Sequence, residues 1–204
     1  MNRFEKIKND ALWSFNYQEG IDKINHAIEK YGVNTMAFYC LGILYDHLVH
    51  GTDDKKEKKR LEKKARSYYK QALKLDPNFA QAYYGLGRIL LNKKDKRALV
   101  WYQKALDVNP KDSKLQYNFA YACNILGLYD QAEKRFQRLL KKDGESFGVY
   151  YNLAQIEDKR GRSVKAKAYA RSAIKLFGKL SKKVRQSPGG IGFRDYLKKI
   201  IERS

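Results

Sequence analysis

One cluster of side chains in this sequence has types and spacing that could hold a metal ion. His47 and His50 are three residues apart, and Asp46 and Asp53 flank them, so imidazole and carboxylate groups could share an ion near one helix face. No cysteine accompanies them, and the spacing is a weak match to protein metal sites. We therefore interpret both histidines as exposed side chains, and we expect neither a metal nor a cofactor.

Three common motifs for phosphate, thiol and metal chemistry are absent from the sequence. The sequence has no glycine-rich phosphate loop, no Cys-x-x-Cys pair and no His-Glu-x-x-His motif. Its two cysteines, Cys40 and Cys123, cannot form a disulfide framework and are typical of small buried residues in a reducing compartment. The sequence therefore predicts a protein that is not an enzyme.

Basic side chains are concentrated toward the end of the chain. The 204 residues include 43 Lys and Arg against 22 Asp and Glu, which gives a formal net charge of +21. Residues 1–34 are neutral in sum, whereas residues 162–204 carry +11. From Lys167 to Lys179 a basic residue recurs every four positions, which predicts a basic ridge along one helix and its continuation. The basic ridge comprises Lys165, Lys167, Arg171, Lys175, Lys179, Lys182, Lys183 and Arg185.

The basic ridge predicts contact with an anion. Like charges four residues apart on a helix repel by about a few tenths of a kcal/mol per pair, so a counter-charge would stabilise the helix. The candidates are an acidic protein, nucleic-acid phosphates or an anionic membrane surface, and a merely solvated face stays an alternative. Beyond Tyr169, no aromatic-rich motif accompanies these basic side chains, so sequence-specific recognition of nucleic acid has no support.

Composition indicates a folded, helical chain. A hydrophobic content of 43%, with 13% aromatic residues, is too high for a disordered basic tail, and three prolines are few. No run approaches the roughly 20 apolar residues of a membrane span. The charged N-terminal residues lack the apolar centre of a secretory signal. We expect an all-α protein with no transmembrane segment, located in the cytoplasm.

A pattern with a period of about 34 residues occurs four times. Each copy has a large apolar residue followed by Gly or Ala: Leu41-Gly42, Leu86-Gly87, Phe119-Ala120 and Leu153-Ala154. An alanine follows at Ala65, Ala98, Ala132 and Ala166, and a helix breaker at Pro77, Pro110, Gly144 and Gly178. The small residues let two antiparallel helices approach closely, and the breaker ends the second helix. The pattern predicts stacked helical hairpins, since one hairpin cannot cover its own apolar face.

These residues resemble the tetratricopeptide repeat (TPR) family, whose motif sets Leu-Gly, Tyr, Ala, an aromatic residue, Ala and Pro at fixed positions. The segment Phe38-x-x-Leu41-Gly42-x-x-Tyr45 carries this motif almost intact. The third and fourth copies depart from it, because Ala120 and Ala154 replace the glycine. The resemblance implies an all-α, right-handed superhelical solenoid of stacked antiparallel hairpins with a C-terminal capping helix.

The predicted TPR-like array covers residues 1–180. It divides into a degenerate N-terminal hairpin (1–34), a repeat with an insertion of about 11 residues (35–79) and three further repeats (80–112, 113–146 and 147–180). The insertion, at residues 50–64, predicts two lengthened helices carrying a charged extension that is either solvated or a docking element. Residues 181–204 are a basic linker with a turn at Ser187–Gly190, followed by the capping helix, whose apolar stripe is Phe193, Leu197, Ile200 and Ile201.

The resemblance also implies a groove lined by the first helix of each hairpin. The groove-lining positions of this sequence hold Tyr39, Tyr84, Arg88, Tyr117, Asn118, Tyr121, Tyr151, Asn152 and Gln155. An asparagine on a rigid helix can bond both the N–H and the C=O of an extended peptide. Asn118 and Asn152 are 34 residues apart and would repeat that contact once per hairpin, while tyrosines add contact area at small entropic cost.

The sequence therefore predicts a non-catalytic interaction scaffold or adaptor that binds a peptide segment of a partner protein, acidic or not, in this groove. A regulatory domain for a separately encoded enzyme is one form of that prediction. The alternative is an accessory factor that binds a polyanion (RNA, DNA or an acidic protein) through the basic ridge, although nucleic acid is not favoured. The oligomeric state is left open by the sequence.

Overall fold

The computed structural model describes residues 2–203, which form twelve α-helices and contain no strand. The helices are α1 (Arg3–Ser14), α2 (Tyr17–Tyr31), α3 (Thr35–His50), α4 (Lys55–Leu75), α5 (Ala80–Leu91), α6 (Ala98–Val108), α7 (Ser113–Ile125), α8 (Tyr129–Asp143), α9 (Phe147–Lys159), α10 (Ser163–Phe177), α11 (Lys182–Arg185) and α12 (Pro188–Glu202). They belong to two compact units that divide between Leu115 and Gln116. The all-α, repeat-based fold predicted from the sequence is confirmed.

The first unit is built from pairs of helices that follow one another in the chain. Helix α3 packs on α4, and α5 packs on α6. The degenerate hairpin predicted at the N-terminus is the pair α1 and α2, and both of its helices pack on α3. Apolar residues of α1 to α5 together form the core of this unit.

The insertion lengthens both helices of its hairpin, as the sequence predicts. Helix α3 has 16 residues and α4 has 21, against 12 for α5 and 11 for α6. The extended helix α4 begins at a cap, because the Asp54 carboxylate accepts a hydrogen bond of 2.9 Å from the backbone N–H of Lys56.

A single tyrosine ring explains two of the glycines in the first unit. Tyr69 of α4 is completely buried, and its ring lies against Gly42 of α3 and Gly85 of α5. A Cβ atom would come within 2.6 Å of the ring at Gly42 and within 2.5 Å at Gly85. At Gly42, the small residue of the repeat is therefore set by the aromatic residue of the second helix, and close packing of α3, α4 and α5 depends on Gly42 and Gly85 together.

The second unit ends in a helix that covers the last hairpin. Helix α12 packs on α10 and also contacts α9, and it buries Leu197 and Ile200 against alanines such as Ala170. The capping helix is thus where the sequence predicts it. The predicted turn at residues 187–190 is wrong, because Ser187 is the N-cap of α12 and its hydroxyl accepts a hydrogen bond of 3.1 Å from Gly190 N–H. Pro188 therefore starts the helix, a position that tolerates its missing N–H.

Candidate functional site

Aromatic and amide side chains from three helices come together on one face of the second unit. We call this the aromatic face; it consists of Tyr117, Asn118 and Tyr121 from α7, Tyr151 and Gln155 from α9, and Phe193 and Tyr196 from α12. The ring of Tyr151 lies 4.9 Å from that of Phe193 and 5.8 Å from that of Tyr196, centroid to centroid, both in edge-on geometry. Tyr121 and Phe193 are each 40% exposed, so the face offers aromatic surface to solvent.

Two phenols of the aromatic face, those of Tyr117 and Tyr151, stay neutral near neutral pH. Burial raises the pKa of Tyr117, and the neighbouring phenol of Tyr121 adds to the effect. Burial likewise raises the pKa of Tyr151, again with a contribution from Tyr121. Tyr117 and Tyr151 are therefore uncharged hydrogen-bonding groups on apolar rings, which suits contact with a peptide better than contact with an ion.

The two asparagines that the sequence predicts as a repeated peptide contact have different environments. Asn152 is 2% exposed, and its amide nitrogen donates to the Tyr117 hydroxyl at 3.0 Å and to the Gly148 carbonyl at 2.8 Å. Its amide oxygen accepts from Asn124 at 3.0 Å. Asn118 is half-buried, and its amide makes no hydrogen bond within residues 2–203. Of the pair, Asn118 has the amide that an incoming chain can reach.

A chain of amide groups holds the remaining polar side chains of the aromatic face in place. Asn124 donates to the Gln155 side-chain oxygen at 3.4 Å, and Gln155 donates to the Tyr151 hydroxyl at 3.1 Å. Together with the bonds of Asn152, these contacts link Tyr117 to Tyr151 through the interior of the unit. The network fixes the rotamers of Tyr151 and Gln155 before any ligand binds, and preorganisation lowers the entropic cost of binding.

Asn124 belongs to a set of polar residues at one repeat position that was not predicted from the sequence. It stands five residues after the large apolar residue of its repeat, and Asp46 and Asp158 stand at the same place in theirs. Each bonds to the next first helix or to the cap: Asp46 to Arg88, Asn124 to Asn152, and Asp158 to Tyr196 at 3.0 Å. The 34-residue spacing of Asn124 and Asp158 was the signal that could have found them.

The groove positions predicted in the first unit are held by contacts inside that unit. Arg88 forms an ion pair with Asp46, whose side chain is 2% exposed. The Tyr39 ring packs edge-on against Phe79 at 5.2 Å, and burial raises the pKa of Tyr39 to about 12. Tyr84 packs edge-on against Tyr102 at 5.6 Å. These three side chains therefore consolidate α3, α4, α5 and α6.

Comparison with known protein families decides what these repeats are. Profiles described as "TPR repeat" (residues 63–94) and "Tetratricopeptide repeat" (residues 80–112, 101–134 and 126–181) match the chain. Together they extend over residues 63–181, more than half of its length. The chain belongs to the tetratricopeptide repeat family. Membership in this family supports a role as a protein–protein interaction scaffold. TPR arrays are typically non-catalytic.

Curated relatives match this TPR chain over part of their length. Tetratricopeptide repeat protein 1 of Schizosaccharomyces pombe is 29% identical over 130 residues, which is 62% of this chain and 12% of that protein. Human Protein O-mannosyl-transferase TMTC3 is 32% identical over 117 residues, which is 56% of this chain and 13% of that protein. The chain thus spans about an eighth of the length of these relatives.

Solved TPR structures show the same fold at low sequence identity. PilW, a type IV pilus biogenesis factor, matches with a TM-score of 0.70 at 18% identity, over 98% of this chain and 92% of its own. TTC0263, a TPR protein of Thermus thermophilus, matches with a TM-score of 0.67 at 17% identity, over 96% of each chain. YrrB, described as a TPR protein with an unusual peptide-binding site, matches with a TM-score of 0.61 at 19% identity, over 94% and 88%.

The structure divides the basic ridge of this TPR chain among three segments. Lys165, Lys167, Arg171 and Lys175 lie on α10, which ends at Phe177. Lys179 follows the end of that helix, and Lys182, Lys183 and Arg185 lie on the short helix α11. The Arg185 guanidinium turns back and donates to the Leu180 carbonyl at 3.0 Å. The first four members of the basic ridge therefore lie on one helix, and the other four lie beyond its end at Phe177.

The metal-binding and nucleophilic candidates have ordinary structural surroundings. Among residues 2–203 no group of three or more His, Cys, Asp or Glu side chains could hold a metal ion. His47 is half-buried, contrary to expectation, because its ring packs on Tyr17 at 5.3 Å, and burial lowers its pKa. Burial raises the pKa of the Cys40 thiol to about 12 and also raises that of Cys123, so neither is a thiolate near neutral pH.

A serine motif that the sequence analysis overlooked has no catalytic surroundings. Gly144-Glu-Ser146-Phe-Gly148 fits the Gly-x-Ser-x-Gly pattern of hydrolase nucleophiles. That chemistry needs a turn from a strand into a helix and a histidine nearby. Ser146 instead stands at the N-cap position of α9, in a connection between two helices, and residues 116–204 contain no histidine. The motif is therefore part of the repeat boundary.

The lengths and apolar character of the helices show whether any of them could cross a membrane. In the part of the chain that the structure describes, no helix combines the length and the apolar character that a bilayer crossing requires.

Proposed function

We propose that this TPR chain is a non-catalytic scaffold whose aromatic face binds an extended peptide segment of a partner protein. The observation that carries the proposal is the Asn118 amide, which has no hydrogen-bond partner within residues 2–203 and lies on the same helix as the exposed Tyr121. One carboxamide can donate to a peptide carbonyl and accept from a peptide N–H, which is the pair of groups every peptide unit presents.

The chemistry of the aromatic face sets the kind of segment it would bind. None of its seven side chains carries a charge, and the rings of Tyr121, Tyr151 and Phe193 offer apolar contact area. Tyrosine supplies such area with few rotatable bonds, so little entropy is lost on binding. The proposed ligand is therefore an extended segment with apolar or aromatic side chains, and its backbone is held by Asn118 and Gln155.

Two further points support a peptide ligand over a polyanion. YrrB, which has a similar fold, is described as having an unusual peptide-binding site. The basic ridge, on which the polyanion alternative depends, loses its helical continuity at Phe177. The free, buried cysteines Cys40 and Cys123 are compatible with action in a reducing compartment such as the cytoplasm.

Replacing Asn118 by alanine is expected to weaken peptide binding about tenfold without lowering stability, because two net hydrogen bonds to the peptide are lost and none within the described chain is. A random peptide library displayed on phage would be selected on the full chain, and one selected peptide would be labelled and titrated by fluorescence anisotropy. Asn25→Ala, at an exposed position of α2, is the matched control and should leave the Kd unchanged.

Asn152→Ala is expected to affect stability, whereas Asn118→Ala is expected to affect peptide binding. It removes three internal hydrogen bonds and leaves Asn124 and Tyr117 with fewer partners, so it is expected to lower the melting temperature. If selected peptides bind Asn118→Ala and Tyr121→Ala as tightly as the unaltered chain, the aromatic face is not the binding surface and the proposal is lost.

A further inference from the structure

A basic cleft lies on the first unit, far along the sequence from the basic ridge. It has a volume of about 450 Å³, and α4 supplies all but one of its lining residues. The lining consists of Lys59, Glu62, Lys63, Arg66, Ser67, Lys70 and Lys93. Five of these seven side chains are cationic and one is acidic, so the cleft has a formal charge of +4.

The charge of the basic cleft is poorly neutralised from within the chain. Its one carboxylate, on Glu62, forms an ion pair with Lys93, which joins the end of α5 to α4. Within residues 2–203, no carboxylate pairs with Lys63, Arg66 or Lys70. These three side chains are exposed and follow one another at helical spacing, so they repel one another. An anion in the cleft would relieve that repulsion.

The cations form a line of defined spacing. Lys59, Lys63, Arg66 and Lys70 recur at three and four residues on the side of α4 away from its buried stripe, which includes Leu61, Ala65 and Tyr69. A helix rises about 1.5 Å per residue, so the line is roughly 16 Å long with about 6 Å between successive cations four residues apart. Alternate side chains of an extended peptide are about 6.6 Å apart on the same side. Carboxylates at alternate positions of such a peptide would therefore match the cations four residues apart, and the flexible stem of Lys63 accommodates the shorter rise of about 4.5 Å to Arg66.

We propose that the basic cleft binds an acidic segment of a partner protein, extended and with Asp or Glu at alternate positions. Four of its five cations are lysines, whose ammonium groups act as point charges on flexible stems and can each pair with one carboxylate. None of its lining side chains is aromatic, so the cleft offers no platform on which a base could stack. The occupant is therefore a carboxylate peptide and not a nucleic acid. The scaffold then has two docking surfaces of different chemistry, one in each unit.

Neutralising three cations of the cleft is expected to weaken binding of an acidic peptide by about tenfold or more at about 0.1 M salt. The probe is a fluorescein-labelled peptide of five Glu-Ser units, titrated by anisotropy against the full chain and the variant Lys63→Gln/Arg66→Gln/Lys70→Gln. The matched control, Lys167→Gln/Arg171→Gln/Lys175→Gln, changes the net charge equally on α10 and is expected to change the Kd by less than about twofold. Equal melting temperatures of the two variants show that both are folded.

Two outcomes would overturn the proposal. Equal losses of affinity in the two triple variants would show diffuse attraction to a basic protein and no cleft. Tighter binding of a single-stranded oligo(U) of matched length than of the peptide, lost in the cleft variant, would assign the surface to nucleic acid. Loss of peptide binding in the cleft variant alone, with weaker oligo(U) binding, supports the acidic segment.

Discussion

Tyr69→Ala is expected to lower the free energy of unfolding of the first unit by about 3–5 kcal/mol, the range for removing a buried aromatic ring. The ring is completely buried and fills the space that Gly42 and Gly85 leave open, so its loss creates a cavity where α3, α4 and α5 meet. The backbone cannot collapse easily into that cavity because two neighbouring helices border it. Urea unfolding followed by circular dichroism measures the change.

Tyr69→Phe is the control that isolates the ring from its hydroxyl. The hydroxyl is buried and has no hydrogen-bond partner in the part of the chain that the structure describes, so its removal is expected to cost less than about 1 kcal/mol. A loss from Tyr69→Phe that matches the loss from Tyr69→Ala would mean that a hydrogen bond, and not packing against the two glycines, stabilises this part of the array.

Arg88→Ala is expected to destabilise the first unit by about 3–5 kcal/mol, because it leaves a buried carboxylate without its counter-charge. The Asp46 side chain is 2% exposed and pairs with Arg88 across α3 and α5. The double variant Asp46→Leu/Arg88→Leu removes both charges and fills the space with apolar groups. Since such replacement of a buried pair is often neutral or stabilising, the double variant should recover most of the lost stability.

The pair also tests the role assigned to Arg88. Urea denaturation of the unaltered chain, Asp46→Leu, Arg88→Leu and the double variant Asp46→Leu/Arg88→Leu gives the coupling energy of the pair. A change below about 1 kcal/mol in Arg88→Ala would indicate that the ion pair is solvated, as most surface pairs are. Arg88 would then be available to a ligand, as its position in the repeat first implied.

The fold could be predicted from the sequence because helix packing requires small and aromatic residues at fixed spacing. Gly42, Ala65 and Tyr69 recur at fixed spacing because a ring on one helix needs a small residue on the next, and the structure shows that contact directly. The length of α4 followed from the insertion for the same reason, since its buried stripe continues the helical period through Leu61. Such features depend on local spacing, which the sequence contains.

The site was harder to predict because repeat position does not determine exposure. Asn118 and Asn152 follow a tyrosine at the same repeat position, yet Asn152 is buried by Asn124 and Tyr117, which come from a neighbouring helix. Phe193 was predicted as part of the apolar stripe with which α12 caps the last hairpin, but it is 40% exposed, and its ring packs edge-on against Tyr151 of α9. Contacts between helices distant in sequence decide these outcomes, and periodicity alone does not contain them.

The central claim is that a partner peptide contacts the Asn118 amide on the aromatic face. Its most direct test is a titration of the ¹⁵N-labelled chain with a phage-selected peptide, followed through the side-chain amide signals of asparagine and glutamine. The Asn118 signal is expected to shift and to saturate with the Kd measured by anisotropy, while that of Asn25 stays fixed. A peptide that binds with the same Kd and leaves the Asn118 signal unmoved at saturation would contradict the account.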